Sequence, residues 1–271
     1  MKMGFVRSYQ IAIIIWGSIA ISVFSACSPN NVHVDDSIGH LFDQEKVEGT
    51  YGMFLNGAGT FTLYNVKLYR DSAYSPDQTL YPILFIAGLE TGVIPNERSS
   101  ILIDTSAALN LFADSAFIKS DGPFFSTIAR SIGKEKLQSF LDTLQYGSKK
   151  IIGPVDQAGQ SSLTITPDEQ LGLIKKLYFN QLPFQKRTQE IVKKLLIRES
   201  NATFQLAYFL SREKNPEGIT SAWIMGWVEE NKHPYFFVIH TKRNQGEETQ
   251  ETQLSLLKNI LRQQGFLEGK K

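Results

Sequence analysis

"SPDQTLYPILFIAGLETGVI", residues 75 to 94, decides how the rest of the chain is read. Ser75-Pro76-Asp77-Gln78 has the chemistry of a helix start, with Ser at the N-cap, Pro at the first helical position and Gln at the third, a capping-box arrangement. Asp77 in the first turn suits the positive end of a helix dipole. From Leu80 to Leu89 the segment is apolar almost all round, which marks a helix buried on every side. The N-terminus of such a helix points into or under a cleft, where unpaired N–H groups favour negative charge. That is a favoured place for a nucleophile, yet the side chains there are Gln78 and Tyr81.

Outward from this helix the periodicity changes twice. Upstream, "VEGTYGMFLNGAGTFTLYN" alternates like two strands around Asn56-Gly57, a short-range hairpin signal. Downstream, "PFFSTIARSIGKEKLQSFLDTL" reads as two helices broken at Ile132-Gly133. "TPDEQLGLIKKLYFNQLPF" opens on Thr166, Pro167 and Glu169, again N-cap chemistry, and "KRTQEIVKKLLIRE" is amphipathic. The period then returns to strands in "TFQLAYFLSRE", "SAWIMGWVEE" and "YFFVIHTK", the last two joined by Asn231-Lys232-His233-Pro234. "ETQLSLLKNILRQQGFL" is an amphipathic terminal helix. The order strands, helices, strands, helix predicts an α+β fold, an antiparallel sheet built from both chain ends with an inserted helical block.

The 271 residues carry a net charge of +1, which leaves no electrostatic footprint for nucleic acid. Lys149-Lys150, Lys175-Lys176 and Lys193-Lys194 read as solvated faces. The first residues are a different material. Lys2 and Arg7 precede an uncharged apolar run from Ile11 to Phe24, which ends in Ser25-Ala26-Cys27. The run is short for a membrane span and suits a signal-peptide core. Ser25-Ala26-Cys27 resembles a bacterial lipobox, with Phe24 standing where Leu is usual. This divides the chain into a signal peptide, 1–26, a tether, 27–40, and a domain, 41–271. The resemblance implies a lipidated Cys27, membrane attachment through the anchor, and a periplasm-facing place in the cell envelope, with Ser28 favouring the outer membrane. Cys27 is the one cysteine, so no internal disulfide forms. An ordinary secretory signal, or an uncut anchor, with an incidental cysteine reads the same run.

"VEGTYGMFL", "GLETGVI", "LYFNQLPF" followed by "EIVKKLL", "GWVEE" and "YFFVIHTK" resemble the class D β-lactamases and the related penicillin-sensor domains, in order, from about residue 40 to 265. That resemblance implies a serine acyl-transfer fold. In it a Ser at the start of the buried helix attacks, and a carbamylated Lys one turn later is the base. A serine hydroxyl needs such a base, and three residues of helix place both on one face. Carried over by position, the nucleophile falls on Gln78 and the Lys on Tyr81. The second motif falls on Ser120-Asp121-Gly122, the Tyr-Gly-Asn motif on Tyr146-Gly147-Ser148, and the Lys-Thr-Gly strand on Ala207-Tyr208-Phe209. The shielding Trp falls near Gly159 and the carboxylate-binding Arg on Leu257. Gln cannot form a useful acyl-enzyme, and Tyr is a poor base at neutral pH.

The resemblance therefore implies no catalytic residue. It implies a degenerate binding pocket of Gln78, Tyr81, Ser120, Tyr146, Gly147, Ala207 and Tyr208. Ser131/Lys134 and Ser211/Lys214 repeat the Ser–Lys spacing, and both read as surface coincidences. Ser120 reads as a helix cap or turn, and Gly147 as a residue kept for positive φ. His33, His40, His233 and His240 are scattered, so no metal and no cofactor is expected. Asn201-Ala202-Thr203 reads as a turn before a strand. The expected function is an inactive binding or interaction module at the cell envelope, its partner an envelope protein, a peptide or a glycan. The alternatives are a β-lactam hydrolase or penicillin-binding protein with residual or relocated serine chemistry, for instance at Ser120, and a purely structural role.

Overall fold

The computed structural model describes residues 31–104, 109–148, 150–151, 153, 163–244 and 248–271. Seven strands form one sheet: β1 (Val32–Val34), β2 (Glu48–Leu55), β3 (Thr60–Tyr64), β6 (Ile197–Ser200), β7 (Phe204–Lys214), β8 (Thr220–Glu230) and β9 (His233–Arg243). Their order is β1-β3-β2-β9-β8-β7-β6, antiparallel except for the β1–β3 pair. β2 joins β9 from Glu48↔Lys242 to Leu55↔Tyr235, so the two chain ends share the sheet centre. The α+β expectation holds. Between the two sets of strands lie the helices α2 (Val66–Arg70), α3 (Tyr81–Thr91), α4 (Ala113–Lys119), α5 (Gly122–Ile132), α6 (Lys134–Leu144), α7 (Pro167–Tyr178) and α8 (Lys186–Leu196), with a separate hairpin β4 (Ser100–Asp104) and β5 (Leu109–Phe112). The other face of the sheet is covered by α1 (Gly39–Glu45) and α9 (Gln250–Gln263).

The alternation of the strands builds two cores. Phe209, Trp223, Met225, Trp227, Phe236 and Val238 face the helical block, while Leu206, Ile224, Val228, Phe237 and Ile239 face α1 and α9. The helix α3 is buried from Pro82 to Gly88, as its all-round apolarity predicts. It ends at Gly92, whose φ of 75° is the left-handed cap glycine permits. Gly133, φ 84°, breaks the α5–α6 run at the place expected. Thr166 and Glu169 close a reciprocal capping box at α7. Asn201 Oδ1 accepts from the backbone N–H groups of Thr203 and Phe204, an Asx turn that opens β7.

Three details differ from the sequence reading. The expected tether, 27–40, is part of the domain from Val32 onward. There β1 lies along β3, Asp35 caps a 3-10 turn by accepting from Ser37 N, and Ile38 is fully buried. From Val32 on, its polar residues serve a strand, caps and turns rather than a linker. The β2–β3 hairpin turns through Asn56–Gly59, with the positive φ at Gly59 rather than Gly57. The tight two-residue turn is instead Asn231-Lys232, both at positive φ, so β9 starts at His233. The expected signal segment, Cys27 and Gly159 lie outside the described residues.

Candidate functional site

The expected capping box at Ser75 does not form. Ser75 Oγ donates to Asp77 Oδ1 over 2.6 Å, and Asp77 takes a left-handed φ of 47°. The chain therefore enters α3 through a 3-10 turn, Asp77–Leu80, with Pro76 at its cap and no side chain serving that cap. Trp223 Nε1 donates to Ser75 O over 2.9 Å and pins this entry to β8. The Gln78 backbone N–H donates to Ser211 Oγ at 3.1 Å, and its side-chain Nε2 donates to Glu213 Oε1 at 3.4 Å. The N–H that a helix start would offer to an incoming anion is thus already held by the chain's own hydroxyl.

Tyr81, one helical turn on, stacks on Phe125 with ring centroids 4.0 Å apart and meets Phe209 edge-on at 6.5 Å. Its phenol is pushed up to about 12, first by burial and then by the charges of Glu213, Asp121 and Asp77. At neutral pH it stays protonated and accepts no proton from a hydroxyl. No Lys stands in this first turn.

The cleft beside Gln78 has a volume of 510 Å³. From the expected set it gathers Gln78, Ser120 and Tyr208. Ser120 is the left-handed C-cap of α4, φ 53°, and Asp121 caps α5 by accepting from Phe124 N at 2.8 Å, so the cap reading holds. Tyr81, Tyr146, Gly147 and Ala207 are elsewhere, a correction to the expected pocket. Tyr81 is committed to the aromatic stack. Tyr146 is sealed in the core beside Thr79 and Gln170, where burial raises its phenol far above the usual range. Gly147 is kept as glycine twice over, by its φ of 47° and because a Cβ there would sit 2.0 Å from Thr164 O. Ala207 is buried where β6 covers β7.

The strand positions that face the helix start are Phe209 and Ser211, two and four residues beyond Ala207. Ser211, expected as a surface coincidence, is buried and belongs to the site. Lys214 cannot serve it, because three residues of strand place the two on opposite faces. Likewise Leu257 is core, and the residues of α9 that line the cleft are Gln250 and Gln253. The cleft also takes Lys119, Arg198 and Arg212 and no acidic residue. Sequence reading missed both arginines. Strand parity gave no signal for Arg212, because it puts residues 211 and 212 on opposite faces of β7.

That edge is open. β6 pairs only with Gln205–Ala207, so from Tyr208 to Lys214 the outer edge of β7 has no strand partner among the described residues. Arg198 Nε donates to Tyr208 O at 3.4 Å and occupies its first carbonyl. Away from this cleft, His240 is buried, stacked on Tyr74 at 3.7 Å and hydrogen-bonded to Ser221 Oγ at 3.1 Å. Burial holds its imidazole well below the usual range, so it is neutral.

Residues 54–263 match the family described as the penicillin binding protein transpeptidase domain. Over 226 residues, 80% of this chain and 83% of its relative, the sequence is 30% identical to the probable β-lactamase YbxI of Bacillus subtilis. It is 28% identical over 239 residues to the regulatory protein BlaR1 of Bacillus licheniformis, covering 84% of this chain and only 39% of that longer protein. The solved C-terminal domain of the Bacillus licheniformis BlaR penicillin receptor superposes with a TM-score of 0.80 at 24% identity, over 88% of this chain and 98% of that one, a likeness of fold. The buried helix, the sheet shared by both chain ends and these matches together make this chain a member of the penicillin-binding transpeptidase domain family, among the class D β-lactamases and their sensor relatives.

Proposed function

We propose that this protein is a catalytically inactive family member that binds ligand without acylation, exported and held at the cell envelope through a lipidated Cys27. The observation that carries the reading is the start of α3. Gln78 stands with its N–H given to Ser211 Oγ, and a protonated Tyr81 is locked against Phe125. Nucleophile, base and anion-receiving N–H are lacking at one point, and acyl transfer needs all three. What remains is a cleft with three cations, amide and hydroxyl side chains, and a free strand edge. An extended peptide adding to that edge, with an acidic group against Arg198, Arg212 or Lys119, suits this surface best. A glycan would use the same amides without the edge.

The test is covalent labelling of the full chain with a fluorescent penicillin, read by intact mass. No adduct after prolonged exposure is the expected result. A stoichiometric adduct would overturn the reading, and peptide mapping would then separate Ser120 from Ser211 as the hydroxyl carrying relocated chemistry.

A further inference from the structure

On the far side of the Asp77–Gln78 turn lies a second cavity, of 650 Å³, that shares no lining residue with the cleft. Its floor is Asp77, which is 6% exposed and whose Oδ2 is buried without a hydrogen-bond partner. A carboxylate oxygen in that condition is costly unless something donates to it. Around it stand the hydroxyls of Ser75 and Ser221 and the carboxylate of Glu213. Ser75 Oγ is engaged with the other oxygen of Asp77, and Ser221 Oγ with His240 Nε2, which leaves Oδ2 to an outside donor. Lys214 and Lys242 also line the cavity, and Lys242 Nζ is held 4.9 Å from the centroid of the Tyr74 ring.

The lining thus has two signs. Asp77 and Glu213 oppose an anion, and the two lysines oppose a bare divalent cation. A ligand that carries an ammonium and a carboxylate a few ångströms apart satisfies both. The geometry points to a second binding site in this cavity, for a small zwitterion of the amino-acid or short-peptide class. Its ammonium is drawn to the carboxyl groups of Asp77 and Glu213 and its carboxylate lies against Lys242. The site also touches the cleft, because Glu213 accepts from Gln78 Nε2.

Diglycine, N-acetyl-diglycine and diglycinamide titrated into the full chain by calorimetry at about pH 8, above the range in which Asp77 keeps its own proton, test this. Diglycine is expected to saturate one site. N-acetyl-diglycine, without the ammonium, and diglycinamide, without the carboxylate, are each expected to bind about tenfold more weakly or worse. Asp77→Asn is expected to weaken diglycine by a similar factor. Lys242 is exposed, so Lys242→Ala leaves folding untouched, and it is expected to weaken diglycine while leaving diglycinamide unchanged. Equal binding of the three probes, no saturation by diglycine up to about 100 mM, or indifference to Lys242→Ala would each overturn the assignment.

Discussion

Replacing Asp77 by Asn should make the protein more stable, and only at the higher end of the pH range. Asp77 is raised from the ordinary 3.8 to about 7, chiefly by burial and further by the charge of Glu213, while the nearby hydroxyls of Ser75 and Ser221 act the other way. The folded form therefore keeps a proton between pH 3.8 and about 7 that the unfolded chain has already lost. Stability falls as pH rises through that window, by up to about 1.4 kcal/mol per pH unit, and is flat above it. Across the whole window the loss reaches about 4 kcal/mol, an upper bound for a group this buried. Asn carries no charge, tolerates the left-handed φ of 47° and can still accept from Ser75 Oγ. The assay is urea unfolding of both proteins across pH 4 to 8, in steps of about one unit. The variant should match the parent near pH 4 and pull ahead steadily up to about pH 7. Taking the difference cancels the titrating groups that do not interact with Asp77. A stability difference that does not change with pH would refute the reasoning.

Two further outcomes concern the backbone. Gly147→Ala should cost about 3 kcal/mol or more, because its Cβ would lie 2.0 Å from Thr164 O at a φ of 47°, whereas Gly57→Ala, with nothing within 4 Å, should shift stability by less than about 1 kcal/mol; thermal melts of the pair decide it. Lys232→Gly should raise the melting temperature by a few degrees, since it relieves a left-handed non-glycine in the two-residue β8–β9 turn, φ 65°, at a smaller cost in chain entropy.

The α+β order, the buried helix, the break at Gly133 and the box at Thr166 were all legible because each rests on local chemistry. The errors have non-local causes. Ser75 carried every sign of an N-cap, but its hydroxyl has Asp77 two residues away, and once Asp77 turns left-handed the third-position amide faces Glu213 instead of the cap. The strand positions at the site were misplaced because β7 and β8 run on to Lys214↔Thr220, and the length of that hairpin is not visible from "GWVEE". The same kind of count put the last helix wrong by more than a turn, at Leu257 instead of Gln253 and Gln250. Cleft composition was harder still. Arg198 comes from β6, Lys119 from α4 and Arg212 from β7, and only the fold brings the three together. β1 was missed because three residues beside β3 have no periodicity of their own.

That short strand has a mechanical consequence. β1 is fastened by the pairs Val32↔Phe61, His33↔Thr62 and Val34↔Leu63, and His33 and Val34 are exposed. A pull on the chain at Val32 meets this pairing before it meets α1, whose Leu41 and Phe42 are set in the core. Three residues peeled from the sheet edge release roughly 10 Å of chain while β2, β9 and both cores keep their contacts. Under such a pull β1 would part before the rest of the sheet, and α3 is not among the elements paired with it.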